Sequence, residues 1–145
     1  MGAWDFGVFD DDTAYDVMDE LKDNPDIEAY LENAFDTAIA ADYLDYDEGI
    51  AVSVCGAVLD SILNGTGYRF DGFNGSGDEE GDVQYMKWTN EHKGVNAARL
   101  KEKAVAALRR FIHPDSELYE LWSDNEELFP KWKESIEQMI CRLSA

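Results

Sequence analysis

Three runs of carboxylates hold the residues whose types and spacing could do chemistry. They are Asp10, Asp11 and Asp12, then Asp42, Asp45, Asp47 and Glu48, then Asp78, Glu79, Glu80 and Asp82. Oxygen donors at this density suit a hard cation, acid–base catalysis or the recognition of a basic surface. Calcium takes about six to eight oxygens from a defined loop, and an EF-hand turn needs Gly at its sixth position. No run has that Gly, although Asp16 lies one turn on from Asp12. Acid–base work needs one pair set apart from the rest, and nothing marks such a pair among 32 acidic residues. Acidic side chains fixed on helices can instead imitate an array of phosphates. They would enter the basic cleft of a nuclease or another DNA-binding protein, with fast and salt-sensitive association.

Other catalytic signatures are scarce. His92 and His113 are the only histidines, and neither has a Cys or a second His at zinc-ligand spacing. His113 closes a helical pattern ahead of Pro114 and reads as a dipole partner or C-terminal cap. Ser53 and Ser61 lie in an apolar pattern without nucleophile-elbow glycines. The stretch from Gly75 to Glu79 lacks the Lys of a phosphate cradle, and its acids repel phosphate. No catalytic residue, cofactor or metal ligand is assigned, and the chain reads as a non-enzyme. Cys55 and Cys141 are too few for a disulfide framework and sit in apolar patterns, where a free thiol behaves as a small hydrophobe. Trp4, Phe6 and Phe9 could form a stacking platform for a ligand. An N-terminal arm over 1–11 that plugs one end of the core is the favoured reading, because so dense an exposed aromatic patch is rare on monomers.

These runs belong to a lopsided chain. The 145 residues carry a formal net charge of −20. Residues 1–91 hold 23 Asp and Glu against Lys22, Arg69 and Lys87 alone, whereas residues 92–145 carry 9 of each sign. Such a field steers a basic partner and repels nucleic acid and anionic lipid. It also repels itself, so stability should rise as moderate salt screens it. An apolar fraction of 45%, with 4 Trp, 7 Tyr and 7 Phe, supports one packed domain rather than a disordered acidic chain. No apolar run reaches the roughly 18 residues of a membrane span. The first residues show neither a basic nor an apolar signal region, and Phe6 breaks the myristoylation pattern. The expectation is a soluble, cytoplasmic protein with reduced thiols.

The elements that must position these residues are helical. Ile27, Tyr30, Leu31, Ala34, Phe35 and Ala38 make an amphipathic stripe over 26–41. Asn24 is its expected cap, with Pro25 at the first helical position and Asp26 and Glu28 at the positive end of the dipole. Ala14, Val17, Met18 and Leu21 mark a shorter helix from about Asp12 to Lys22, capped by one of Asp10, Asp11 and Asp12. Residues 47–63 are apolar almost all round the helix, the pattern of a bundle's buried centre, and Asn64 and Gly65 end it. Residues 65–82 hold six glycines and form a long acidic loop, a length usually functional or mobile. Tyr68, Phe70 and Phe73 are expected to pin its first half to the core or to form a short ordered segment. A weaker helix follows over 83–92, and a strong one runs from about Asn96 to Pro114. A short helix holds Leu118, Leu121 and Trp122, and the last holds Phe129, Trp132, Ile136, Met139, Ile140 and Leu143. The fold class is all-α, a single-domain bundle of about six or seven helices over 1–145.

The opening Met-Gly-Ala-Trp4, followed by Gly7, Phe9, Asp11, Asp12 and Ala14, resembles the start of the bacterial domain-of-unknown-function 4259 family. Its members tend to begin Met-Gly-Ala-Trp-Gly, then Gly-x-Phe, an Asn/Asp pair and an Ala two residues on. The far end is similar too, in the stretch from Asp115 through Ser116, Glu117, Leu118, Tyr119, Glu120 and Leu121 to Trp122, then Trp132 and the closing Arg142 and Leu143. Asp5 stands where Gly is common and Asp11 where Asn is common, and both changes add charge. The resemblance implies a small cytoplasmic bacterial protein and assigns no activity.

Charge and helical scaffold lead to a non-enzymatic acidic interaction protein of the immunity, inhibitor or DNA-mimic type. It would bind a basic protein such as a nuclease toxin through Asp10, Asp11, Asp42, Asp45, Asp47, Glu48, Asp78, Glu79, Glu80 and Asp82. A structural, self-associating protein and a small-ligand or divalent-cation module are the alternatives. The plain counter-reading is a solvated shell that serves solubility alone. Convergence of the clusters on one face separates a docking surface from a shell.

Overall fold

In the computed structural model, which describes residues 7–70, 81–93 and 96–145, each of the first three helices starts on an aspartate. Asp11 caps α1 (Asp12–Asp23) by accepting from the Thr13 N–H at 2.7 Å. Asp26 caps α2 (Ile27–Ala40) through the Ala29 N–H at 3.1 Å, and Asp45 caps α3 (Tyr46–Asn64) through the Glu48 N–H at 2.8 Å. A carboxylate here satisfies an orphan donor and complements the positive end of the helix. The entry to α2 differs from expectation. Asn24 ends α1 and its Oδ1 accepts from the Asp26 N–H at 2.9 Å, so Pro25 lies in the turn ahead of the cap. Gly65 ends α3 at φ 69°, a left-handed conformation that glycine adopts without a Cβ clash.

Further along the chain lie α4 (Gly81–Glu91), a 3₁₀ turn (Ala98–Leu100), α5 (Lys101–Phe111), α6 (Glu117–Ser123) and α7 (Phe129–Ser144). The helix expected from about Asn96 begins later because no side chain caps Ala97 or Leu100, and the tighter turn leads in instead. His92 closes α4 by donating Nδ1–H to the Trp88 carbonyl at 2.8 Å. His113, just past the end of α5, accepts at ring Nδ1 from the Asp115 N–H at 3.3 Å. Among the described residues there are seven α-helices and no strand, with a lone parallel bridge between Leu44 and Ser116.

The apolar circumference of α3 has a direct cause in the packing, since α1, α2, α4, α5, α6 and α7 all lie against it. Val52, Val54, Val58 and Leu59 are fully buried, each such side chain contributing about 1.5–3 kcal/mol. A Cβ on Gly56 would lie 3.0 Å from Met139 Sδ and 3.2 Å from both Leu108 methyls, so α5 and α7 seat tightly on α3. Aromatic groups fill the remaining space. Phe9 stacks on Phe70 with centroids 4.2 Å apart, and Trp122 stacks on Trp132 at 6.1 Å. Phe9 and Phe70 are both buried, as a core plug and a loop anchor must be. Trp4, Phe6 and Phe73 lie outside the described residues. Cys55 is buried and Cys141 exposed, both free, and burial pushes the Cys55 thiol up.

The charge-neutral part of the chain also neutralises some of the acidic part. Along the seam where α2 meets the 3₁₀ turn and α5, Arg99 of the turn pairs with Glu28 at 2.8 Å and with Glu32 at 2.9 Å. One turn on, Lys103 pairs with Glu32 at 2.9 Å and with Asp36 at 3.0 Å. Arg110 donates to the Ala41 carbonyl, bringing to the end of α2 the cation its own last turn lacks.

Candidate functional site

The faces of α2 decide which carboxylates stay available. Glu28, Glu32 and Asp36 turn to α5 and are paired, while Tyr30, Asn33, Ala34 and Thr37 turn the other way. With Glu20 of α1 and Asp47, Glu48 and Ala51 of α3, that second face lines a groove of about 330 Å³. The volume is at the lower end of the range of small-molecule sites, and it also suits one long side chain. Tyr30 donates its hydroxyl to Glu20 Oε2 at 2.7 Å, fixing that carboxylate at the rim. Burial, with Glu20 beside it, pushes the Tyr30 phenol up. Glu48 is half-buried, and desolvation followed by the negative charge of Asp45 raises its carboxyl above the usual range. The groove therefore presents carboxylates from two helices to one space, and one of them is ionised at a cost. Such a space is electrostatically complementary to a cationic group.

The segment leading into this groove is held firmly. Leu44 is buried, its N–H donates to the Asp115 carbonyl at 3.0 Å, and its carbonyl accepts from the Glu117 N–H at 2.8 Å. Tyr43 donates to Glu120 Oε2 at 2.8 Å, and that bond first, then burial, raises its phenol to about 12. Asp42 and Asp45 are exposed on either side of this anchored pair.

The ten carboxylates named as a partner-binding surface, with their sharing of one face left open, thus divide. Asp47 and Glu48 line the groove, Asp45 stands beside Glu48, and Asp42 is exposed on the same connection. Asp11 is withdrawn from the surface, since it is 3% exposed, caps α1 and accepts from the Tyr46 hydroxyl. Asp10 is half-buried and accepts from the Gly7 N–H at 3.1 Å. Asp82 accepts from the Phe70 N–H, tying together the two ends of the Gly-rich segment. Asp78, Glu79 and Glu80 lie outside the described residues. Among the described residues, no three His, Cys, Asp or Glu side chains are grouped to hold a metal ion, and no helix is long and apolar enough to cross a membrane.

Sequence reasoning missed Glu20 and read Tyr30 only as part of the α2 stripe, because nothing local shows where α1 meets that helix. It also missed Asp60, which is wholly buried in α3 and accepts from Asn64 at 2.8 Å, Tyr68 at 2.7 Å and Arg142 at 2.9 Å. Its signal was available, since an acid deep in the apolar part of a helix, far from the acidic first turn, must find partners. Beside it, Ser61 Oγ donates to the Thr66 carbonyl at 2.8 Å and lies 3.0 Å from the Tyr85 hydroxyl. Ser61 and Tyr85 are as fully buried as Asp60, so this network ties elements together and offers no substrate a way in.

A family model described as a domain of unknown function (DUF4259) matches residues 2–135. The chain belongs to the DUF4259 family. No curated protein and no solved structure matches it significantly. Several residues that carry the likeness to DUF4259 are structural: Phe9, Ala14, Trp122 and Trp132 are core, and Asp11 and Ser116 stand at helix starts. In this DUF4259 chain the groove residues Glu20, Tyr30, Asp47 and Glu48 lie outside those motifs.

Proposed function

We propose that this chain is a non-enzymatic acidic binding protein that captures a basic protein, in the manner of immunity proteins, inhibitors and DNA mimics. The supporting observation is the groove between α1, α2 and α3, where Glu20, Asp47 and Glu48 converge without a cation among the lining residues. A basic side chain entering it relieves the desolvated charge on Glu48, and the surplus of −20 steers such a partner in from solution. Asp45, fixed as the α3 cap beside Glu48, adds a pre-placed carboxylate and reduces the ordering cost of docking.

Affinity capture from cell extract at low and high salt tests this reading, with wild type beside the triple variant Glu20→Gln, Asp47→Asn, Glu48→Gln. The expected result is a basic protein retained by wild type at low salt, released by salt, and lost from the variant. Failure to retain any basic protein at low salt ends the proposal. Retention that the triple variant leaves unchanged moves the docking surface away from the groove.

A further inference from the structure

Asp60 is the one charged group of α3 that is 0% exposed, and its partners come from three separate parts of the chain. Asn64 belongs to α3 itself, Tyr68 to the strip that follows α3, and Arg142 to the last turn of α7. The strip 65–70 is a neck. Phe70 is bonded to Asp82 at the start of α4, Thr66 to Ser61, and Phe70 and Tyr85 pack around Phe9. Asp60 Oδ2 accepts from both Tyr68 and Arg142, and Arg142 also donates to the Tyr68 hydroxyl at 3.3 Å. The neck and the end of α7 therefore meet at a single carboxylate oxygen.

That arrangement has an energetic consequence. A buried carboxylate is tolerable only while its countercharge stays, and removing one partner leaves an uncompensated charge in a medium of low dielectric. If Arg142 leaves, Asp60 keeps its charge with only Asn64 and Tyr68 as donors, and the water that hydrates it competes with the Tyr68 bond that holds the neck. If the neck lifts, water reaches Asp60 and the hold on Arg142 weakens in turn. We propose that Asp60 makes the neck and the last turn of α7 a single opening unit, so that neither undocks without the other.

Hydrogen exchange on the intact chain tests the coupling. In Arg142→Met, amides of the neck (65–70) and of α4 should exchange at least about tenfold faster than in wild type, along with the end of α7. Adding Asp60→Asn removes the buried charge and keeps an acceptor for Tyr68. The double variant Asp60→Asn, Arg142→Met should therefore recover most of the neck's protection. Faster exchange confined to α7, with the neck at its wild-type rate, overturns the proposal, as does a double variant that exchanges no more slowly than Arg142→Met. Should Arg142→Met fail to fold, wild type under low denaturant decides. A shared opening isotherm for the neck and residues 139–143 supports the unit, and separate isotherms refute it.

Discussion

Glu32 sits between Arg99 and Lys103, and the hydrogen bonds from Arg99 and then Lys103 hold its carboxyl down at about 2. Glu48 has the opposite surroundings, with desolvation and Asp45 raising it. The signs follow from linkage. Glu32 is more acidic folded than unfolded, so its pairing stabilises above the ordinary carboxylate range and is lost as the pH falls toward about 2. Glu48 is less acidic folded than unfolded, so its ionisation destabilises once the pH exceeds both values, and acid removes that cost. Thermal melts across this range should show Glu32→Gln below wild type at neutral pH, with the gap closing in acid. Glu48→Gln should melt above wild type at neutral pH, and its gap should also close in acid. A Glu48→Gln curve that merely parallels wild type would show that the groove carries no strain. Keeping a carboxylate that weakens the fold fits a site whose partner brings the missing cation.

At the scale of the helix, caps and close approaches matter more than surface charge. Asp11→Ala removes the α1 cap and an acceptor for Tyr46, and denaturant unfolding should show a loss of about 1–2 kcal/mol. Asp47→Ala, at an exposed position, should stay within about 0.5 kcal/mol of wild type, so the two aspartates separate as support and site. Gly56→Ala sets two effects against each other. Alanine gains about 1 kcal/mol of helix propensity, while overpacking costs about 1–3 kcal/mol. Contacts of 3.0–3.2 Å to Met139 and Leu108 in the bundle centre favour the cost, so a net loss of about 1 kcal/mol is expected. A more stable Gly56→Ala would mean that those side-chain ends yield. The stripes of α1 and α2, the buried α3 and its Gly65 stop were legible because periodicity and capping are local properties. The burial of Asp60 could be suspected from its apolar surroundings, but its partners could not be read, because Arg142 stands 82 residues away and Tyr68 lies past the helix end. The groove was half legible: Asp47 and Glu48 stand in one cluster, but their meeting with Glu20 depends on how α1 crosses α2 and α3.

Across the whole molecule, salt acts on two populations of charge. Screening weakens the Arg99 and Lys103 pairs along the α2–α5 seam, and it relieves the repulsion among acids that no cation balances. Exposed pairs are worth about 0–1 kcal/mol each, and these four share only two cations. The surplus of −20 acts over the entire surface, at separations where a Debye length of about 10 Å at 0.1 M already screens it. Relief of repulsion should therefore win. The melting temperature is expected to rise from low to moderate sodium chloride, a salt that leaves apolar burial nearly unchanged. Replacing Arg99 and Lys103 by Gln removes the population that salt weakens and enlarges the surplus, so the rise should steepen in that double variant. A wild-type melting temperature that falls with salt would show that the seam outweighs the field. The same titration also bears on binding, because a surface whose own repulsion is screened at moderate salt steers a basic partner only below it.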